Sequence, residues 1–227
     1  MSKTLLSLLI VGVCCVAQGQ VPNAPSATQT APDAHKDATQ RGMGLYLGSG
    51  MAADEHVALS TRQKFGFAAW NSFSPLTYPE VALIAGISQA DNQQPTWGQG
   101  AEGFGKRYGA AFADQAINTM LSQAVLASML KEDPRYFRRG HGTFGQRLGY
   151  SVSRMWITRR DDGTRTANVS VIMGAGMAAG ISRIYYPSVE RTAGKTLGDF
   201  GILLATDAAW NVFYEFWPDI RHGVFRK

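Results

Sequence analysis

Cysteine is almost absent from this chain. Of its 227 residues only two are cysteines, Cys14 and Cys15, and both fall in an apolar N-terminal stretch. If that stretch is removed, no disulfide, cysteine nucleophile or cysteine metal ligand remains. An exported product must then hold together by core burial or by surrounding lipid. Clean alternation of apolar and polar residues is scarce, while Gly and Ala are frequent, which argues against sheets. Familiar catalytic signatures are missing as well. There is no Gly-x-Ser-x-Gly, no His-Glu-x-x-His and no Glu-x-x-His pair. The "AGKT" of Ala193–Thr196 ends like a phosphate loop but has Val189 where the first glycine belongs. His35, His56, His141 and His222 are scattered, so neither a metal nor a cofactor is expected.

The N-terminus carries an address. Lys3 precedes an apolar run from Leu5 to Val16, broken only by Ser7, and Ala17-Gln18-Gly19 supplies a small-x-small site. Residues 1–19 are expected to be a secretory signal peptide. Val13 before Cys14 makes a poor lipidation site. Residues 20–50, rich in Pro, Ala, Thr, Gln and then Gly, are expected to form a flexible leader. Residues 51–227 are expected to form one helical domain. The net charge of +5, taken with export, favours anionic lipid or an acidic cell-wall polymer over nucleic acid as partner. The expected location is the periplasm or the cell-envelope membrane.

Helical patterns run over residues 60–73, 77–90, 101–130, 144–158, 167–184 and 190–216. Proline and glycine punctuate their ends, Pro134 and Pro218 among them. Thr77 and Glu80 have capping-box spacing. The expected class is all-α, a compact bundle of about six helices. Faint echoes such as "FGKRYG" at 104–109 and "FGQRLG" at 144–149 hint at duplication.

The stretch "VSVIMGAGMAAG" at 169–180 can be read as strand, turn and helix, a dinucleotide fingerprint, or as one helix. Tyr185-Tyr186-Pro187 cuts it too soon for a β-α-β unit, and no acidic residue follows at the required distance. The helical reading places Gly176 and Gly180 on one face. The same four-residue spacing recurs as Gly105 and Gly109, Gly145 and Gly149, and Gly194 and Gly198. These rows are expected to be packing faces where helices approach closely, possible sites of self-association included. Segments 108–130, 167–182 and 200–217 approach membrane-span character, each with a blemish. Aromatic and basic residues crowd their ends, as at a lipid border. A slightly negative mean hydropathy of −0.12 speaks against a polytopic membrane protein.

Polar residues gather at two places. "LKEDPRYFRRGHG" at 130–142 offers Lys131, Arg135, Arg138 and Arg139 as phosphate ligands. It also offers Asp133, or Glu132, with His141 for acid–base chemistry. Asp114 with Asn118, and Asp207 with Asn211 and Glu215, fall at helical spacing and are expected to form a buried polar network. The motifs "WGQGAEGFGKRYG", "EDPRYFR", "YYP" and "EFWPD" together resemble a family of uncharacterised exported proteins of soil bacteria. The resemblance spans roughly residues 65–219 and implies export and one helical unit, with no activity or ligand attached. The expectation is an envelope-associated helical structural protein in contact with membrane lipid. The alternative is a periplasmic enzyme or binding protein acting on lipid or cell-wall material, with a pocket facing Trp210 or Tyr214.

Overall fold

Ser60 opens the first helix with a reciprocal cap. Its hydroxyl accepts from the Gln63 amide, and its own N–H donates to Gln63 Oε1 at 2.8 Å. The computed structural model describes Met51–Ala52 and residues 58–225, with side chains over 58–220. The expected signal peptide, the leader and both cysteines lie outside the described residues. Six helices follow one another: α1 Thr61–Ser72, α2 Thr77–Ala90, α3 Gly100–Thr119, α4 Phe144–Ser153, α5 Val169–Ser182 and α6 Ala193–Phe225. The chain is all-α in class.

α3 does not stop at Thr119. It continues through a seven-residue π segment, Met120–Leu126, into Ala127–Met129. The sequence predicts an unbroken α-helix over 101–130, and nothing in residue spacing marks this wider winding. Its use is visible across the interface. A Cβ placed on Gly174 of α5 would stand 2.9 Å from both the nitrogen and the Cα of Ser122. Glycine is what lets α5 lie against that backbone.

Small strands tie the loops together. β1 Met51–Ala52 pairs in parallel with β3 Phe137–Arg138. β2 Glu132–Asp133 pairs antiparallel with β4 Ile157–Arg160, which pairs with β5 Arg165–Ala167. The charged turn "RRDDGTR" is therefore a hairpin, and the helix expected over 144–158 ends at Ser153. α6 starts at Ala193 rather than Glu190 and runs through Pro218 instead of stopping there. Residues 169–174 are helix, so the strand reading of the glycine fingerprint fails.

Alanine, not glycine, makes the helix contacts. Ala175, Ala178 and Ala179 pack with Leu203 and Leu204, flanked by Ile117, Leu121, Met155, Val171 and Phe200. Gly105, Gly109, Gly145, Gly149, Gly176, Gly180, Gly194 and Gly198 are all exposed. An added Cβ would meet nothing within 4 Å at any of them except Gly176, where a Phe200 ring atom lies at 3.9 Å. The expectation of glycine packing faces is thus corrected within this chain. The reason is phase: α5 buries Ser170, Gly174, Ala178 and Ser182. Gly176 and Gly180 sit two residues out of step, about 200° round the helix. Among the described residues no helix is long and apolar enough to cross a membrane.

Two glycine substitutions should move in opposite directions on urea unfolding. Gly174→Ala drives a methyl into Ser122 and should cost about 1–3 kcal/mol. Gly180→Ala fills open space and removes backbone entropy from the unfolded chain, so it should stabilise by about 0.5–1 kcal/mol.

Candidate functional site: a polar cavity between the helices

Glu80 is where local sequence and tertiary structure part company. α2 begins from Leu76 with no side-chain cap. Thr77 instead donates its hydroxyl to the Asn71 carbonyl at 2.8 Å. The capping box suggested by Thr77 and Glu80 does not form, and the Glu80 carboxyl turns inward. There it meets α6, whose Asp207, Trp210, Asn211 and Tyr214 share one face by their three- and four-residue spacing. The Trp210 and Tyr214 rings stack with centroids 5.6 Å apart.

These side chains line a cavity of about 120 Å³, closed on its other side by Tyr136, Phe137 and the stretch from Arg154 to Thr158. Exposed Ile157 stands at its rim. At roughly 10–15 Å³ per water-sized position the space holds about ten waters. Burial raises the Glu80 carboxyl to about 7. A hydrogen bond from Trp210 opposes the rise and the Asp207 charge adds to it. Burial likewise raises Asp207 to about 7, against a hydrogen bond from Asn118. That bond is long, 3.4 Å from Asn118 Nδ2. Burial and the two carboxyls also push up the Tyr214 phenol. Glu80 Oε1 and Asn118 Oδ1 are buried without a hydrogen-bond partner.

The opposite wall is basic. Arg154, at the C-terminal cap of α4, has a buried Nε with no partner. Its guanidinium lies 4.6 Å from the Tyr150 ring centroid. Burial lowers its pKa. Arg135 also lines the cavity, but it is committed to Asp133 through Nε at 2.9 Å and Nη2 at 2.6 Å.

The residues singled out from sequence are dispersed. Asp133 is buried, and Arg135 covers its carboxylate. His141 is exposed on the following loop. No contact joins the two, so the proposed acid–base pair is not assembled. Glu132 accepts from the Ser170 N–H at 3.0 Å, at the start of α5. Lys131 is exposed, and Arg138 and Arg139 are half-buried. With Arg135 neutralised, the four cations do not form one phosphate claw. Of the expected polar network, Asn118 meets Asp207, and Asn211 lines the same cavity. Asp114 stands apart, accepting from the hydroxyls of Tyr185 and Tyr186.

Glu215 also stands apart, fully buried. Its carboxylate accepts at 2.9 Å from the Tyr136 hydroxyl, the Arg139 and Gly140 amides and Arg147 Nε. Burial pushes its pKa up, but these donors outweigh that and hold it below the usual carboxylate range. Sequence reasoning missed Glu80, Arg154, Tyr136, Arg147 and Lys64. Lys64 is a buried lysine that donates to the Ala127 and Glu132 carbonyls and to Asp161. Among the described residues no cluster of potential metal ligands occurs.

Two substitutions separate these environments. Glu80 binds its proton more tightly folded than unfolded, so its contribution to stability is lost as pH rises from about 4.5 to about 7 and stays lost above. Glu80→Gln should flatten that decline and, at pH 8, raise stability by about 1–3 kcal/mol in chemical denaturation. Glu215→Ala strands Arg147 and two backbone amides and should cost about 3–5 kcal/mol at pH 7. The Glu215 contribution, from a depressed pKa, should fade only as pH falls below about 4.5.

No model of a known family matches the chain, and the searches of curated proteins and of solved structures found nothing similar to it.

Proposed function

We propose that the protein is an exported helical binding protein of the cell envelope that captures a small polar molecule in the cavity between α1, α2, α3 and α6. One observation carries this reading. Glu80, Asp207 and Arg154 line one buried space, and no ion pair among the described residues satisfies them. Stability alone disfavours such an arrangement, since a buried polar group without a partner costs free energy. A ligand that supplies the missing partners accounts for it, and the stacked Trp210 and Tyr214 provide an apolar platform beside the polar groups. Perturbed titratable groups converging on a cavity are the usual mark of a functional site.

A second observation favours contact with lipid. α5 and α6 carry outward rows of apolar and small residues. These are Met173, Met177, Ile181 and Ile184 with Gly176 and Gly180 on α5, and Leu197 and Ile202 with Gly198 and Gly201 on α6. Ile184 is 74% exposed and Leu197 68%. Together with the basic chain they suit peripheral attachment to an anionic bilayer rather than a span.

The cavity reading is tested by an NMR screen of small amino acids, peptides, sugars and polyols against the purified protein. A binder should shift the Trp210 indole signal, and Asn211→Phe, which fills the cavity, should abolish binding while the protein stays folded. Failure of every compound to bind would remove the reading. For the lipid reading, Met177→Asp with Ile181→Asp should reduce sedimentation with phosphatidylglycerol vesicles at least fivefold. An unchanged bound fraction would show that this face does not meet lipid.

A further inference from the structure

We propose that the ligand of this cavity is a small zwitterion, of amino-acid to dipeptide size, held with its ammonium group on the Glu80 and Asp207 wall and its carboxylate on Arg154. The inference rests on the cavity being a ligand site and deepens that reading.

Four charged side chains line the space: Glu80, Arg135, Arg154 and Asp207. Arg135 is removed from consideration by its ion pair with Asp133, both side chains being buried. What remains is one cation and two carboxyls, on walls built from different parts of the chain. Glu80 and Asp207 project from α2 and α6 and sense each other. Arg154 projects from the end of α4, and the groups that act on it are Tyr150, Arg165, Tyr136 and Arg159, with neither carboxyl among them. The cavity is therefore polarised, acidic at one end and basic at the other. An isolated anion or cation would satisfy one wall and leave the other bare. A neutral polyol would leave both charges without a counter-charge in a poorly solvated space. A molecule with separated opposite charges satisfies both.

The chemistry of each wall fits this. A guanidinium presents N–H donors in a fork that suits a carboxylate, and Arg154 keeps its Nε free of protein partners. The Glu80 and Asp207 oxygens accept hydrogen bonds from an ammonium group, and Glu80 Oε1 is unpartnered. The two carboxyls titrate near neutrality, so an approaching ammonium finds acids that ionise at small cost. Between the walls Gln115 and Asn211 offer amide groups for a peptide unit. Space for about ten waters admits alanine or alanyl-alanine and excludes longer peptides.

The test is calorimetric titration of the purified protein with alanine, alanyl-alanine, N-acetyl-alanyl-alanine, alanyl-alaninamide and xylitol. At least one of the two zwitterions should bind tenfold or more tightly than either capped dipeptide and than xylitol. Arg154→Gln should erase the preference over the amide while keeping the preference over the acetylated form. Glu80→Gln with Asp207→Asn should do the reverse. Circular dichroism melts of both variants confirm that they are folded. Equal binding of capped and uncapped dipeptides, or tighter binding of xylitol, overturns the charge assignment while leaving the cavity a ligand site. If none of the five binds but another small compound binds in a manner abolished by Asn211→Phe, the zwitterion inference alone fails. If no small compound binds at all, both it and the cavity reading fail.

Discussion

Glu215 fixes the outer wall of the cavity to the bundle. Its carboxylate draws in the Tyr136 hydroxyl and the Arg139 and Gly140 amides from the strap that follows β2, and Arg147 from α4. Arg147 Nη2 also donates to the Glu215 carbonyl at 2.6 Å. One side chain of α6 thereby holds a loop and a helix that share little apolar contact with it. The cavity depends on this knot, because Tyr136 and Phe137 of the strap form part of its lining. A buried carboxylate accepting several hydrogen bonds is stable as an anion, and its low pKa reflects that saturation.

The contrast with Glu80 and Asp207 defines the site. Buried charges elsewhere are satisfied. Lys64 has two carbonyls and Asp161, Asp133 has Arg135, and Arg107 donates to the Gln94 and Gly98 carbonyls at 2.7 and 2.8 Å. A chain that pairs these groups so thoroughly leaves two carboxyls and a guanidinium open to one space. The same helices that bury alanine against alanine on one face carry this polar lining on another. Scaffold and site are thus different faces of α3 and α6.

The helical class and most helix positions were legible in the sequence, because caps and breakers act locally. Ser60 with Gln63 and Thr143 with Gln146 form reciprocal caps, and α2 spans the residues that its pattern marks. Features set by tertiary contact were not legible. Pro218 lies inside α6. Residues 157–167 form a hairpin because β4 finds β2 as a partner, a pairing that no local pattern encodes. The glycine rows misled because four-residue spacing shows that residues share a face but not which face is buried. Glu80 was hidden by its own neighbourhood, where Thr77 three residues earlier mimics a cap. Its partner Trp210 lies far along the chain. Asp207, Asn118 and Asn211 were legible as a polar group at helical spacing, since period alone brings them to facing sides of two helices. Arg154 carried no signal beyond interrupting an apolar helix.

The most direct measurement is a carbon-13 carboxyl NMR titration of Glu80, Asp207 and Glu215 between pH 3 and 9. The expected result is midpoints near 7 for Glu80 and Asp207 and a midpoint below the ordinary range for Glu215. Midpoints near 4 for both Glu80 and Asp207 would show that they are already solvated or paired, and would contradict the existence of an unsatisfied acidic wall.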